Sequence, residues 1–236
     1  MKKIGIGLLV VVVAIAGALF WLRGNIDGLV RNAIETYGSE MTKAPVKVAA
    51  VEIRPGDGRG VIRGLTIGNP PGFKTAHLLK VAEIEVVIDI ASIAGDVVTV
   101  KKIAIAAPDI VYEKGEAITN VDALQKNIAD YIGPAEKKDN RGGKKLIVEE
   151  LTVRDAKTQA SAPFLDGKTV AVGLPDIALH DLGKSKGGIT PGELGQEIVK
   201  ALKQKLAAAV SFDNLAKSAA AGLDKAGSAI KGLFGK

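Results

Sequence analysis

The chain has 236 residues, no cysteine, two histidines and a formal net charge of +6. The missing cysteines exclude disulfides, thiolate nucleophiles and cysteine-bound metal centres, so stability must come from packing. The charge is uneven: residues 1–23 carry +3, residues 24–183 carry −2 and residues 184–236 carry +5. Basicity therefore belongs to the ends, and the basic folded face that nucleic-acid binding needs is not indicated; anionic lipid is the natural partner of such a tail.

From Ile4 to Leu22 no residue is charged; Lys2 and Lys3 precede the stretch and Arg23 closes it. At about 1.5 Å per residue an α-helix of that length covers roughly the 30 Å hydrocarbon core of a bilayer. The expectation is a single N-terminal transmembrane span, marked by Ile4, Leu8, Val12, Ile15, Leu19 and Trp21. Lys2 and Lys3 keep its N-terminus in the cytoplasm and the bulk of the chain in the periplasm of a bacterial inner membrane. The competing reading is a cleaved secretory signal with Ala16-Gly17-Ala18 as its site. The apolar run continues past that site through Leu19, Phe20, Trp21 and Leu22, which favours an uncleaved anchor. Both readings export the chain beyond Arg23.

Ile26, Leu29, Val30, Ala33, Ile34 and Tyr37 recur at three- and four-residue spacing and predict a juxtamembrane helix over residues 24–44, with Gly38 and Pro45 as its stop signals. Residues 45–183 then read as a strand-rich domain. Short Val/Ile-rich runs succeed one another at 46–53, 60–67, 81–90, 97–105 and 110–113. In the third, Ile84, Val86, Ile88 and Ile90 alternate with Glu83, Glu85 and Asp89, so one face is buried and the other wet. Parity slips between Val48 and Val51 and between Val100 and Ile103, which predicts β-bulges or bends. Asn120 reads as a cap for a short helix through Val121, Leu124, Ile128 and Ile132, ended by Gly133-Pro134. A polar stretch over 135–145 reads as a mobile loop. Strands resume at 146–154, near 158–160, at 168–172 and at 177–182.

Thr190-Pro191-Gly192-Glu193 carries an N-cap, a proline at the first helical position and a glutamate three residues on. The helix it opens has Ile198, Leu202, Leu206 and Ala209 as its stripe. A second amphipathic pattern comes after it, so residues 190–236 read as C-terminal helices. Within it Leu215, Lys217, Leu223, Lys225, Ile230 and Phe234 form a candidate docking helix for a partner or an anionic membrane. The predicted fold is thus α+β: a transmembrane helix, a curved and mainly antiparallel sheet of about eight or nine strands, a short mid-chain helix and C-terminal amphipathic helices.

Little in the chain points to catalysis. His77 and His180 have no second ligand at metal spacing, and His180-Asp181 are strand neighbours that point to opposite faces. Gly56-Asp57-Gly58-Arg59-Gly60 lies between two strands with no following helix, so it reads as a hairpin turn and not a phosphate loop. Gly183-Lys184-Ser185 lacks the glycine a nucleotide loop needs five positions earlier, where Ala178 stands. Glu149-Glu150 and the Glu83/Glu85 pair read as solvated carboxylates. No catalytic, cofactor or metal residues are assigned.

One stretch carries a family likeness. Gly58-x-Gly60 leads into Gly64-Leu65-Thr66-Ile67-Gly68-Asn69-Pro70-Pro71-Gly72-Phe73, then an acidic strand, then Ile103-x-Ile105-x-x-Pro108-Asp109-Ile110, with Thr119-Asn120 ahead of a short helix. This resembles the start of an AsmA-like protein, over roughly residues 1 to 132 and more loosely 144 to 210. The resemblance implies an inner-membrane anchor and a periplasmic β-groove related to bridge-like lipid-transfer proteins, with a non-catalytic role in envelope biogenesis or lipid homeostasis. Nine strands at about 4.8 Å give a ribbon of only about 40 Å, too short to bridge an envelope alone. On this reading a phospholipid acyl chain would face Ile84, Val86, Ile88 and Ile90. The alternative is a structural module that docks on an envelope protein or anionic headgroups through its basic C-terminal helix and carries no lipid.

Overall fold

The computed structural model of the protein describes residues 26–133 and 144–218. Helix α1 (Ile26–Thr42) buries Val30, Ile34 and Met41 and runs past Gly38. That glycine does not end the helix: a Cβ added there would sit 3.1 Å from the Val46 side chain, so its role is close approach to the first strand. The chain turns instead at Lys43, whose φ is +54°.

Ten strands come next: β1 (Val46–Lys47), β2 (Ala50–Arg54), β3 (Arg59–Ile67), β4 (Leu79–Ile88), β5 (Val97–Ala106), β6 (Asp109–Glu113), β7 (Lys145–Arg154), β8 (Lys157–Ser161), β9 (Val170–Val172) and β10 (Ile177–Leu182). Helix α2 (Asn120–Ile132) lies between β6 and β7, and α3 (Pro191–Ala209) comes after β10. The strands form one open sheet in which several are halves of longer ribbons. β1 and β2 both pair with β3, β5 and β6 both pair with β4, β7 and β8 lie beside β5 and β6, and β10 and β9 lie outermost. Two ribbons break at the same level. Ala107 (φ +46°) interrupts β5–β6 and Asp155 (φ +55°) interrupts β7–β8. Ala107 N donates to Arg154 O and Lys157 N donates to Pro108 O, each at 2.8 Å, and these bonds hold the breaks in register.

The structure corrects the expected sheet. The sheet has ten strands where about eight or nine were expected, and, although seven of its nine pairings are antiparallel as expected, it is mixed. Helix α2 makes the connection between β6 and β7 a crossover, so β7 runs parallel to β5 and β8 parallel to β6, as a helical crossover allows and a hairpin does not. Among the described residues no helix is long and apolar enough to span a bilayer. α1, α2 and α3 have 17, 13 and 19 residues, and each is amphipathic. The expected span with Ile4, Leu8, Val12, Ile15, Leu19 and Trp21 lies outside the described residues, as does most of the 135–145 loop.

The parity slips have a structural counterpart. The β4–β5 register shifts between Val87 and Ile88, skipping Lys101, and the buried positions of β5 pass from Val98 and Val100 to Ile103. β7 repeats this from Leu146 and Val148 to Leu151 and Val153. The slips keep apolar side chains on one face of the sheet on either side of each bulge. That face is covered by the helices. The other carries cross-strand ion pairs: Arg63 bonds Glu52 (3.0 Å) and Glu83 (3.2 Å), and Glu85 bonds Arg59 and Lys102. The hydrogen bonds from Arg59 and then Lys102 hold the Glu85 carboxyl below its ordinary value. The sheet is one-sided, as an amphipathic layer under helices must be.

Candidate functional site

Helices α1, α2 and α3 meet the sheet around one cavity of about 150 Å³. Met41 comes from α1, Leu124 and Ile128 from α2, and Leu194, Gly195, Ile198, Val199 and Leu202 from α3; β3, β4, β5 and β7 supply the floor, with Ile62, Ile84, Val86, Ile103 and Leu151. Among the described lining residues the one polar side chain is Thr42, whose hydroxyl donates to Gly38 O at 2.7 Å. A cavity of this kind, apolar and without free polar groups, stays dry and accepts apolar guests.

Gly195 is what leaves the space. It is buried, it lines the cavity, and a Cβ built on it meets nothing within 4 Å. Gly192, three residues earlier in the same helix, is the opposite case: a Cβ there would fall 2.5 Å from Ile132 Cγ1. One glycine thus brings α3 close to α2, and the other leaves a hole over the sheet. Mid-helix glycine costs about 1 kcal/mol relative to alanine, and at residue 195 no close contact accounts for it.

The helices around the cavity are fixed to different degrees. Three side chains of α1 cap the edge strand. Ser39 Oγ accepts from Val46 N at 2.9 Å, Glu35 Oε1 from Val48 N at 2.9 Å and Asp27 Oδ1 from Ile53 N at 3.1 Å. Helix α2 is tied down by a buried polar network. Its N-cap is Thr119, in a reciprocal capping box with Asp122, and not Asn120 as the sequence suggested. Asn120 sits inside the first turn and donates to Asn69 Oδ1 (2.9 Å) and Val111 O (2.7 Å), while Glu113 N donates to its side-chain carbonyl (3.0 Å). The Glu113 carboxylate, only 4% exposed, accepts from Lys74 N (2.7 Å), Thr75 N (2.9 Å) and the Thr75 hydroxyl (2.5 Å). The Asn69–Thr75 loop of the family-like motif is therefore clamped to β6 and α2. Helix α3 has a capping box from Thr190 and Glu193 and one ion pair to α2, Lys203 to Asp122 at 2.7 Å. Burial would raise the Asp122 carboxyl, but hydrogen bonds from Lys203 and Thr119 bring it below its ordinary value.

Of the residues singled out from sequence, Ile84 and Val86 line the cavity and Ile88 lies farther along the same core. Ile90 is not on the strand; it starts a 3-10 turn and is 43% exposed. Leu215 packs against the cluster around Tyr112 and Phe212, and Lys217 is exposed; Leu223, Lys225, Ile230 and Phe234 lie outside the described residues. His180 is exposed on β10, and Asp181 bonds Lys184 rather than the histidine. His77 is buried with its Nε2 3.3 Å from Asp109 Oδ2, out of line for a hydrogen bond. Among the described residues no cluster of three metal-binding side chains occurs. Sequence reasoning misses Gly195 and the Glu113 clamp. A glycine inside the apolar stripe of α3, one turn before Ile198, is the signal for the first; Glu113 offers none, since its partners are two backbone N–H groups and a hydroxyl far along the chain. Known protein families, curated proteins and solved structures give no match to the chain.

Proposed function

We propose that this chain is a non-catalytic lipid-holding protein of the bacterial envelope, of the AsmA-like kind and acting on the periplasmic side of the inner membrane. It shelters the acyl chain of a phospholipid between its sheet and helix α3. The observation that carries this reading is the apolar cavity beneath Gly195, a void that a single methyl-bearing residue would begin to fill. The likeness of residues 58–110 to AsmA-like proteins supports the choice of ligand.

Size sets the mode of loading. Taking a methylene as about the ~30 Å³ that a water molecule occupies in the liquid, the 150 Å³ cavity takes about five carbons. At about 0.8 kcal/mol per methylene, these contribute about 4 kcal/mol. A sixteen-carbon chain needs roughly three times the space. Loading therefore requires one helix to lift, and we take α3 as that helix because it supplies five of the cavity's lining residues. Ile198, Val199 and Leu202 would then contact the rest of the chain.

The test is native mass spectrometry of the full chain released from membranes, with its lipids extracted and identified. Wild type should carry phospholipid. Gly195→Leu adds four carbons, about 120 Å³ by the same measure, and should remove most of it without loss of folding. A lipid-free wild type, or equal loading of the variant, refutes the proposal.

A further inference from the structure

The two edges of the sheet are not alike. At the β1–β2 edge, α1 supplies a side-chain acceptor to three outward N–H groups, those of Val46, Val48 and Ile53. No further strand can pair there without displacing the helix. At the β9–β10 edge no described residue bonds the outer side, and neither strand contains a lysine or proline; the deterrents to edge pairing are confined to Pro175 between the strands and to Asp181 (φ +52°) near the end of β10, which leaves residues 177–180 open. Helix-facing Leu179 and Leu182 are only partly buried, and Val170 is 39% exposed.

The direction of the free groups can be worked out from the hydrogen bonds. Arg154 O accepts from Ala107 N, so Arg154 and Thr152 turn toward β5 while Leu151 and Val153 turn toward β10. Their partners Leu179 and Ile177 face back, and Ala178, opposite Thr152, turns its N–H and C=O outward. The charges along the edge are also arranged by end. Asp176 stands just before β10, and Lys184 and Lys186 just after it, Lys184 already paired with Asp181.

We infer that the β9–β10 edge is a pairing surface for a second copy of this chain, β10 against β10 and antiparallel about a twofold axis. Antiparallel pairing sets the acidic start of each strand against the basic end of the other. Because the opposite edge is capped, the assembly closes at two and cannot grow into a filament. This inference does not depend on lipid binding.

Sedimentation or light scattering of the full chain in mild detergent should give a protein mass twice 24.4 kDa. Ala178→Pro removes the outward N–H, which an edge strand tolerates, and should return the mass to one copy with an unchanged circular-dichroism spectrum, while the melting temperature loses its dependence on protein concentration. Because the chain has no cysteine, cross-linking gives a second readout that does not rest on that variant folding. Facing Cβ atoms in such a pair lie about 4.5–5.5 Å apart, within disulfide reach. Ala178→Cys alone, His180→Cys alone or the two mixed should therefore oxidise to dimer for more than half the protein, while Glu83→Cys, on an inner strand, should not. A monomeric wild type overturns the inference. So does a dimer that none of these cysteines captures.

Discussion

Two glycines three residues apart in α3 should respond to alanine with opposite signs. At residue 195 the substitution removes a helix penalty of about 1 kcal/mol and places a methyl in empty apolar space, adding about 0.8 kcal/mol. The sum, about 1.5–2 kcal/mol, should raise the melting temperature by roughly 5 °C for a domain of this size. At residue 192, in the first turn, the helix term is at most as large, and the new Cβ falls 2.5 Å from Ile132 Cγ1. Overpacking of that kind costs about 1–3 kcal/mol, so Gly192→Ala should be neutral to destabilising by up to about 3 kcal/mol. Differential scanning fluorimetry on the two variants and wild type, all stripped of lipid, reads the contrast directly. Equal shifts would mean that propensity alone decides and that no usable space lies under Gly195. A loss of stability on Gly195→Ala would mean that the cavity is closed in solution, and the lipid-holding reading would lose its support.

Removing the clamp on the family-like loop by Glu113→Ala leaves the N–H groups of Lys74 and Thr75 without their acceptor; at about 1–3 kcal/mol per buried unmet group, stability in urea should fall by roughly 3 kcal/mol and the loop should become protease-sensitive. Burial first, then Lys80, hold the His77 imidazole below its ordinary 6.5 against the pull of Asp109. The unfolded chain therefore binds the proton more readily, and the stability contributed by neutral His77 is present above pH 6.5 and lost as pH falls below it. The urea midpoint of wild type should drop between pH 7.5 and 5 by more than that of His77→Gln; parallel curves would refute this. Asp27→Ala with Glu35→Ala frees the N–H groups of Ile53 and Val48, each bond contributing about 1 kcal/mol, and should turn a closed dimer into larger assemblies, seen as faster-sedimenting species.

Local chemistry was legible where it depends on neighbours in sequence. The Thr190-Pro191-x-Glu193 start of α3, the alternation of Ile84, Val86 and Ile88, and the parity slip between Val100 and Ile103 all report short-range constraints, and the structure has a feature at each. Strand direction was not legible, because β7 lies parallel to β5 only by virtue of where α2 packs. The breaks at Ala107 and Asp155 were hidden for a related reason: neither is glycine, and each is held in positive φ by bonds to the neighbouring ribbon rather than by its own preference. Gly38 misled in the other direction. Its sequence context reads as a helix stop, yet its function is set by Val46, and a contact across a turn has no local signature. The cavity is the extreme case, since its lining is drawn from three helices and four strands, and only the oddity of a glycine within an apolar stripe marks it.

If α3 is the element that lifts, then the contacts that fasten it should set the rate of lipid exchange without setting capacity. Helix α1 is bonded to the sheet edge at three points, and α2 is locked by Asn120 and by Asn127, whose amide donates to Thr42 O at 2.8 Å. For α3, the polar bonds to another helix among the described residues include Lys203 to Asp122 and a weaker bond to Gln125 at 3.2 Å. The lysine side chain is 40% exposed and the aspartate 27%, so solvent screening limits the pair to about 1 kcal/mol. Lys203→Met keeps the aliphatic length and deletes the charge. It should speed release of a fluorescent phospholipid to acceptor vesicles about fivefold and leave the bound stoichiometry as it was. Because Asp122 keeps its bonds from Thr119, α2 should stay in place, so a change in stoichiometry would point to collapse of the site and not to a looser lid. An unchanged release rate in the variant would refute α3 as the element that lifts.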